Sequence, residues 1–210
     1  MKPRLAMVLG DPAGIGPELI ARLLSDPDAR ARADILLIAD RDELERGCRL
    51  AGRDFPYATI GSPSDFAPSN GTLQLYEYRG NARAPFERAK ETANGGRYSL
   101  DTLAAALDAT TQGITEAVVF GPLNKTSLHL AGMGHNDELH WFAERLGYTG
   151  PFCEFNVMDR LWTSRVTSHV ALKDVPALIT QDRIIEAIDL IHRALRESGV
   201  QAPRIGVCGL

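Results

Sequence analysis

Asn124 and Lys125 stand directly after a short apolar run, Ala117-Val118-Val119-Phe120, that Gly121-Pro122 brings to a stop. An amide and an ammonium at such a turn can bind a phosphate or carboxylate, or pass a proton. In open α/β sheets, ligands sit where strands end and helices begin. An isolated lysine after a strand is otherwise an ordinary solvated residue, so the pair needs its surroundings. A second candidate is the loop Gly10-Asp11-Pro12-Ala13-Gly14-Ile15-Gly16-Pro17-Glu18. Its glycines and prolines preset a tight turn that can aim backbone N–H groups at an anion, with Asp11 as its acid. The spacing is neither GxGxxG nor GxxxxGK[ST], so neither nucleotide fingerprint applies. The third candidate is His169, just past an apolar run.

These residues need a frame. Leu5–Leu9 and Ile35–Ile38 are short, continuously apolar runs of the kind buried in parallel sheets. Between them, Pro17 suits the first position of a helix whose stripe is Leu19, Ile20, Leu23 and Leu24. Asp40 is placed to cap a helix over Arg41–Leu50, which Gly52 ends. Residues 53–97 are less regular. Leu73–Tyr78 alternates like a half-exposed strand, Asn94-Gly95-Gly96 reads as a loop, and Ser99 as the cap of a helix with face Leu103, Ala106, Leu107 and Thr110. Ala117–Phe120 reads as a buried strand, followed by a helix from Thr126. Asp137–Leu146 reads as a helix closed by Gly147, then two strands at 152–157 and 161–167, able to form a hairpin. Thr180 caps a long helix, Gln181–Glu197, and Arg204–Leu210 reads as a last strand. A parallel strand normally feeds a crossover, so the expectation is a chain cut short there.

Composition excludes several classes. The 210 residues are 44% hydrophobic and 24% charged, with net charge −4, an ordinary globular mix. No Lys/Arg-rich block supports nucleic-acid binding. Cys48, Cys153 and Cys208 are odd in number and lack CxxC spacing, which argues against a disulfide frame or a structural zinc site and suits a cytoplasmic protein. No apolar run approaches the roughly 18 residues of a membrane span.

Three motifs coincide in order. Gly10–Glu18 resembles the GDPAGIGPE opening of the PdxA family, the 4-hydroxythreonine-4-phosphate dehydrogenases. Gly121-Pro122-Leu123-Asn124-Lys125 is similar to that family's substrate turn, and Thr167–Val175 to its T-x-H-x-x-L-[RK]-D segment. The resemblance covers nearly the whole chain. It implies a three-layer α/β/α fold like that of the isocitrate and isopropylmalate dehydrogenases, with two lobes and the site in the cleft. The 210 residues would be the N-terminal two-thirds, with the second lobe begun from about residue 120 and the remainder missing after 210. It implies NAD(P)-linked oxidation, with decarboxylation, of a small phosphorylated hydroxy acid, a divalent metal (Zn, Mg, Co or Mn) and a homodimer. His169 matches the first of three metal-binding histidines, the other two falling beyond residue 210, with most of the cofactor site. Lys125 and Asn124 match residues at the substrate.

The departure lies at residues 135–140. Ungapped counting puts Glu138, Leu139 and His140 where the family carries His-Thr-Glu, and His135 takes the histidine's role only with a gap. A carboxylate repels a phosphate, so another phosphorylated sugar acid or a dihydrodiol carboxylate becomes an alternative substrate. A non-catalytic binding module and a phosphotransacetylase-like acyltransferase are the alternatives of other classes.

Overall fold

The computed structural model describes residues 2–67, 72–82, 85–168 and 170–209. The chain divides into two compact units, Met1–His135 and Asn136–Leu210.

The first unit is built on a five-stranded sheet in the order β3-β4-β2-β1-β5, with every pairing parallel. Its strands are β1 (Arg4–Val8), β2 (Asp34–Ala39), β3 (Tyr57–Ile60), β4 (Leu73–Glu77) and β5 (Ala117–Phe120). The apolar runs of β1 and β2 are continuous because both faces are covered. On one face Met7, Leu9, Leu37, Ala39, Leu73 and Leu75 pack with Ile20, Ala21 and Leu24 of α1 (Gly16–Ser25) and Leu44 of α3 (Arg41–Ala51). Side chains alternate along a strand, so the buried Ala6, Val8, Leu36 and Ile38 point the other way. The long helix α4 (Ala93–Thr111) packs along β1, β2 and β5. The result is helix, sheet, helix. A short α2 (Pro27–Ala31), capped by Asp26, leads into β2.

Three expectations about this unit need correction. Leu73–Tyr78 is no half-exposed strand: β4 is internal, with Leu73, Gln74 and Leu75 buried. The cause is β3, a four-residue strand too short to show a period, which covers its outer edge. Conversely β5, expected to be buried, is the edge strand, paired with β1 and with Phe120 exposed. Third, Asn94-Gly95-Gly96 is no loop and Ser99 no cap. Helix α4 starts at Ala93, where Thr92 Oγ1 accepts the Gly95 N–H at 3.0 Å. The reason is tertiary: a Cβ on Gly96 would stand 1.8 Å from the carbonyl oxygen of Ser127. The close approach of α4 to α5 (Lys125–Leu130) requires a glycine that helix propensity alone disfavours.

In the second unit, Thr180 caps α8 (Gln181–Glu197), as the sequence predicts, and Asp137, expected as the first helical residue, is instead the cap of α6 (Glu138–Arg145). The two strands shrink to β6 (Asn156–Met158) and β7 (Leu161–Thr163), an antiparallel hairpin. A short α7 (Val175–Leu178) precedes α8. Residues 204–209, expected as a strand, form none, because no described segment supplies the ladder that a strand needs.

Candidate active site

The connections of the sheet reverse direction at β1. From β1 the chain moves through β2 toward β3 and β4, with α1 and α3 on one face. It then returns through α4 to lay β5 on the other side of β1. The loops leaving the carboxyl ends of β1 and β5 stand at this switch point, the place where open α/β sheets bind ligands. Those two loops are Gly10–Ile15 and Gly121–Asn124, the motifs singled out from the sequence.

The loops are locked together. The Asp11 N–H donates to the Pro122 carbonyl at 2.9 Å. Gly121 packs so closely on β1 that a Cβ there would meet the Leu9 carbonyl oxygen at 2.2 Å. Asp11 is 7% exposed, and its Oδ1 accepts the Ala13 N–H at 2.9 Å. Burial raises its carboxyl above the usual value, and the Ala13 hydrogen bond works against the rise. An acid held partly out of water beside a ligand crevice is the kind of group that active sites use.

Asn124 caps α5, its Oδ1 accepting the Ser127 N–H at 2.9 Å, so the helix starts one residue earlier than expected. Lys125 is then the first residue of that helix and is exposed. A cation at a helix N-terminus opposes the helix dipole. Ser127 Oγ also accepts the Thr92 N–H at 3.2 Å and ties the start of α4 to α5. The structure thus brings Asp11, Asn124 and Lys125 to one edge of the first unit. His135 belongs to the same unit, where its carbonyl lies 2.7 Å from His129 Nε2.

Glu138, Leu139 and His140 form the first turn of α6 in the second unit. Asp137, 4% exposed, accepts the His140 N–H at 2.9 Å and contacts His140 Nδ1 at 2.6 Å. Phe152 lies edge-on to the same imidazole, with centroids 5.2 Å apart. The carboxylate sets the ring so that Nδ1 faces Asp137. Glu138 sits where a helix favours negative charge, which accounts for the residue type without a ligand. His169 lies outside the described residues. Among those described, no three His, Cys, Asp or Glu side chains converge to hold a metal. The described residues do not by themselves fit a divalent ion.

Sequence reasoning missed Glu43, Arg88, Thr92 and Ser127, which fix the two loops. None carries a motif, and Arg88 lies in the stretch without a period. A surface depression of about 730 Å³, lined by Glu45, Cys48, Arg53, Phe55 and Tyr57 among others, lies at the opposite, amino-terminal edge of the sheet. It has no part in this site.

The sequence profile described as Pyridoxal phosphate biosynthetic protein PdxA matches residues 31–210. The chain belongs to the PdxA family. It is 62% identical over 208 residues to a Pseudomonas aeruginosa protein named "Putative 4-hydroxythreonine-4-phosphate dehydrogenase 2", covering 99% of this chain and 62% of that one. It is 40% identical to a Pasteurella multocida protein named "Putative 4-hydroxythreonine-4-phosphate dehydrogenase", covering 100% of this chain and 63% of that one. The chain therefore spans less than two-thirds of the length of these curated relatives. The crystal structure of a 4-hydroxythreonine-4-phosphate dehydrogenase from Burkholderia phymatum superposes with a TM-score of 0.82 at 24% identity, over 100% of this chain and 63% of that one. The α/β/α architecture is thus that of PdxA structures.

Proposed function

We propose that the protein to which these 210 residues belong is an NAD(P)-linked dehydrogenase of a phosphorylated hydroxy acid, 4-hydroxythreonine 4-phosphate or a near relation. One observation carries the reading: the Asp11 loop and the Asn124-Lys125 turn meet at the point where the sheet reverses direction. Family membership and the names of the relatives supply the reaction class. In such an oxidation the carbon bearing the hydroxyl gives up a hydride and its O–H gives up a proton. The nicotinamide takes the hydride when bound. Lys125 is the proposed cation at the turn for the substrate's phosphate or carboxylate, or the proton carrier. Asn124 holds that turn in place through its cap, and Asp11 fixes the neighbouring loop. Decarboxylation of the resulting β-keto acid, a cytoplasmic location and a homodimer are parts of the same proposal. A divalent ion belongs to it through His169 alone, and no step is routed through the metal.

Glu138, Leu139 and His140 are the proposed specificity residues. A carboxylate offers acceptors only, so Glu138 beside a substrate selects against a phosphate there and favours hydroxyls or an ammonium. His135 or the Asp137-held His140 is then the compensating donor. The test is a turnover screen of the full-length protein and its Glu138→His variant. The substrates are 4-hydroxythreonine 4-phosphate, other phosphorylated hydroxy acids and non-phosphorylated ones, each with several divalent ions. The substitution is expected to raise kcat/KM for the phosphorylated substrate about tenfold or more, the worth of one charge-assisted contact. A preference that does not move leaves Glu138 as a helix-terminus residue only. No oxidation of any of these acids sinks the dehydrogenase reading.

A further inference from the structure

Arg88, on the surface, forms an ion pair with the buried Glu43 that the motifs above do not include. Glu43 lies on α3 with its side chain 2% exposed, and Arg88 meets it as a two-pronged fork, Nη1 to Oε2 at 2.7 Å and Nη2 to Oε1 at 2.6 Å. The same Nη1 also donates to the Pro12 carbonyl at 2.7 Å. The next residue repeats the contact, the Ala89 N–H donating to the Ala13 carbonyl at 3.0 Å. Two consecutive carbonyls of the glycine loop are thus held by two consecutive residues of a segment 76 positions away. That segment is anchored separately. Phe86 is buried against Tyr98, with centroids 5.2 Å apart, and the Tyr98 hydroxyl accepts the Asp40 N–H at 3.0 Å. Ala89 adopts φ of 54°, a left-handed backbone that only a determined environment imposes on alanine.

A guanidinium that serves only to neutralise Glu43 has no need of a loop carbonyl. The fork geometry satisfies the carboxylate and still leaves a donor for Pro12. From the other side, the Pro122 carbonyl holds the Asp11 N–H at 2.9 Å. The Asp11–Gly14 turn is therefore gripped from both flanks, and Arg88 supplies one of them. Arg46 also faces Glu43, its Nη1 at 3.9 Å from Oε2, too long for a hydrogen bond. Arg88 bridges the acid to the loop.

We propose that Arg88, held by Glu43, is a positioning residue that fixes the Asp11–Gly14 turn against the ligand crevice. The role in turnover rests on the dehydrogenase reading, whereas the grip on the turn does not. Removing Arg88 leaves the buried Glu43 without its hydrogen-bonding partner, with only the longer Arg46 contact, which destabilises the fold, while replacing both partners by apolar residues of similar size removes that penalty. The full-length protein is therefore compared with Arg88→Met, Arg88→Lys and the double variant Glu43→Leu/Arg88→Met. Arg88→Met is expected to lower Tm, and the double variant to recover it. Amide exchange at Ala13 and Gly14 is expected to run about tenfold or more faster in both, without a matching change in β1 or β2. Arg88→Lys keeps the charge and recovers part of the protection. With an active substrate from the screen above, KM rises several-fold in the double variant while kcat stays within about twofold, the signature of binding lost equally from ground and transition states when the loop that meets the substrate loosens. Recovery of the loop's exchange protection together with Tm in the double variant overturns the proposal, as does an unchanged KM. Failure of the unsubstituted protein to turn over any substrate sinks the dehydrogenase reading instead, and the exchange measurement still decides whether Arg88 holds the turn.

Discussion

Ala89 carries a cost that a single atom explains. With φ of 54° its Cβ crowds the backbone, worth roughly 1–2 kcal/mol in the left-handed region. Glycine there removes the clash but adds about 0.4–1 kcal/mol of unfolded-chain entropy. Ala89→Gly is therefore expected to stabilise the protein by about 0.5–1 kcal/mol in chemical denaturation. A loss of stability would mean that Ala89's methyl packs more than its backbone strains. Asp11 is the other residue with a readable cost. Burial raises its carboxyl, so the folded state binds that proton more tightly than the unfolded chain. The sign follows: the ionised carboxylate weighs against the fold above the raised value, and the weight lifts as pH falls toward the unfolded value near 3.9. Asp11→Asn keeps an acceptor for the Ala13 N–H and never ionises. Its stability relative to the unsubstituted protein is expected to be higher at pH 7 than at pH 4, measured by denaturant midpoints at each pH. A difference that grows toward acid would contradict the burial argument. The sequence marked Asp11 as a candidate through its loop, but its burial came from Pro122 and α4, residues far away in the chain.

At the scale of elements, the contact between α4 and α5 is the joint that carries the Asn124-Lys125 turn. Gly96 sits 1.8 Å, measured from a built Cβ, from the Ser127 carbonyl oxygen. Backbone atoms cannot swing aside as a side chain does, so Gly96→Ala must push the helices apart. Overpacking of this kind costs about 1–3 kcal/mol, against about 1 kcal/mol that alanine returns in helix propensity. A net loss of up to about 2 kcal/mol in denaturation is expected, with faster amide exchange in α5. A stabilised variant would show that the joint yields freely. Here sequence and structure part for a physical reason. Two glycines in a row signal a turn when only local propensity is read, and the helix through Gly95 and Gly96 exists because α5 approaches it so closely. The caps Asp40 and Thr180 behave in the opposite way. An N-cap works within four residues, so local sequence suffices to place it.

For the whole molecule, the decisive quantities belong to the full-length protein. Among the described residues no metal-binding cluster converges, and the chain spans under two-thirds of its relatives. A divalent ion in a catalytic site normally has about three protein ligands. The 210 residues alone are therefore expected to reduce no NAD(P) with any phosphorylated hydroxy acid. In the full-length protein, His169→Ala is expected to weaken metal affinity by about tenfold or more while leaving the circular dichroism spectrum unchanged. Turnover by the isolated chain, or metal affinity unmoved by the substitution, would remove the metal from the proposal.

What the sequence determined by itself is whatever depends on neighbours along the chain. The apolar runs of β1 and β2, the caps Asp40 and Thr180 and the two loop motifs were legible because strand period and capping are local, whereas half of the stripe expected for α1, Leu19 and Leu23, is exposed and Ala21 takes its place in the core. The α/β class followed from their alternation, and the family from the motifs. The tertiary structure decided everything that depends on neighbours across the chain. It made β5 the edge strand and β4 an internal one. It turned a glycine pair into the first turn of a helix, and set Asp11 beside the Pro122 carbonyl. It also brought Arg88 across 76 positions to the glycine loop. No period in the sequence encodes these contacts, because each is fixed by the packing of backbone surfaces that meet only once the sheet has formed.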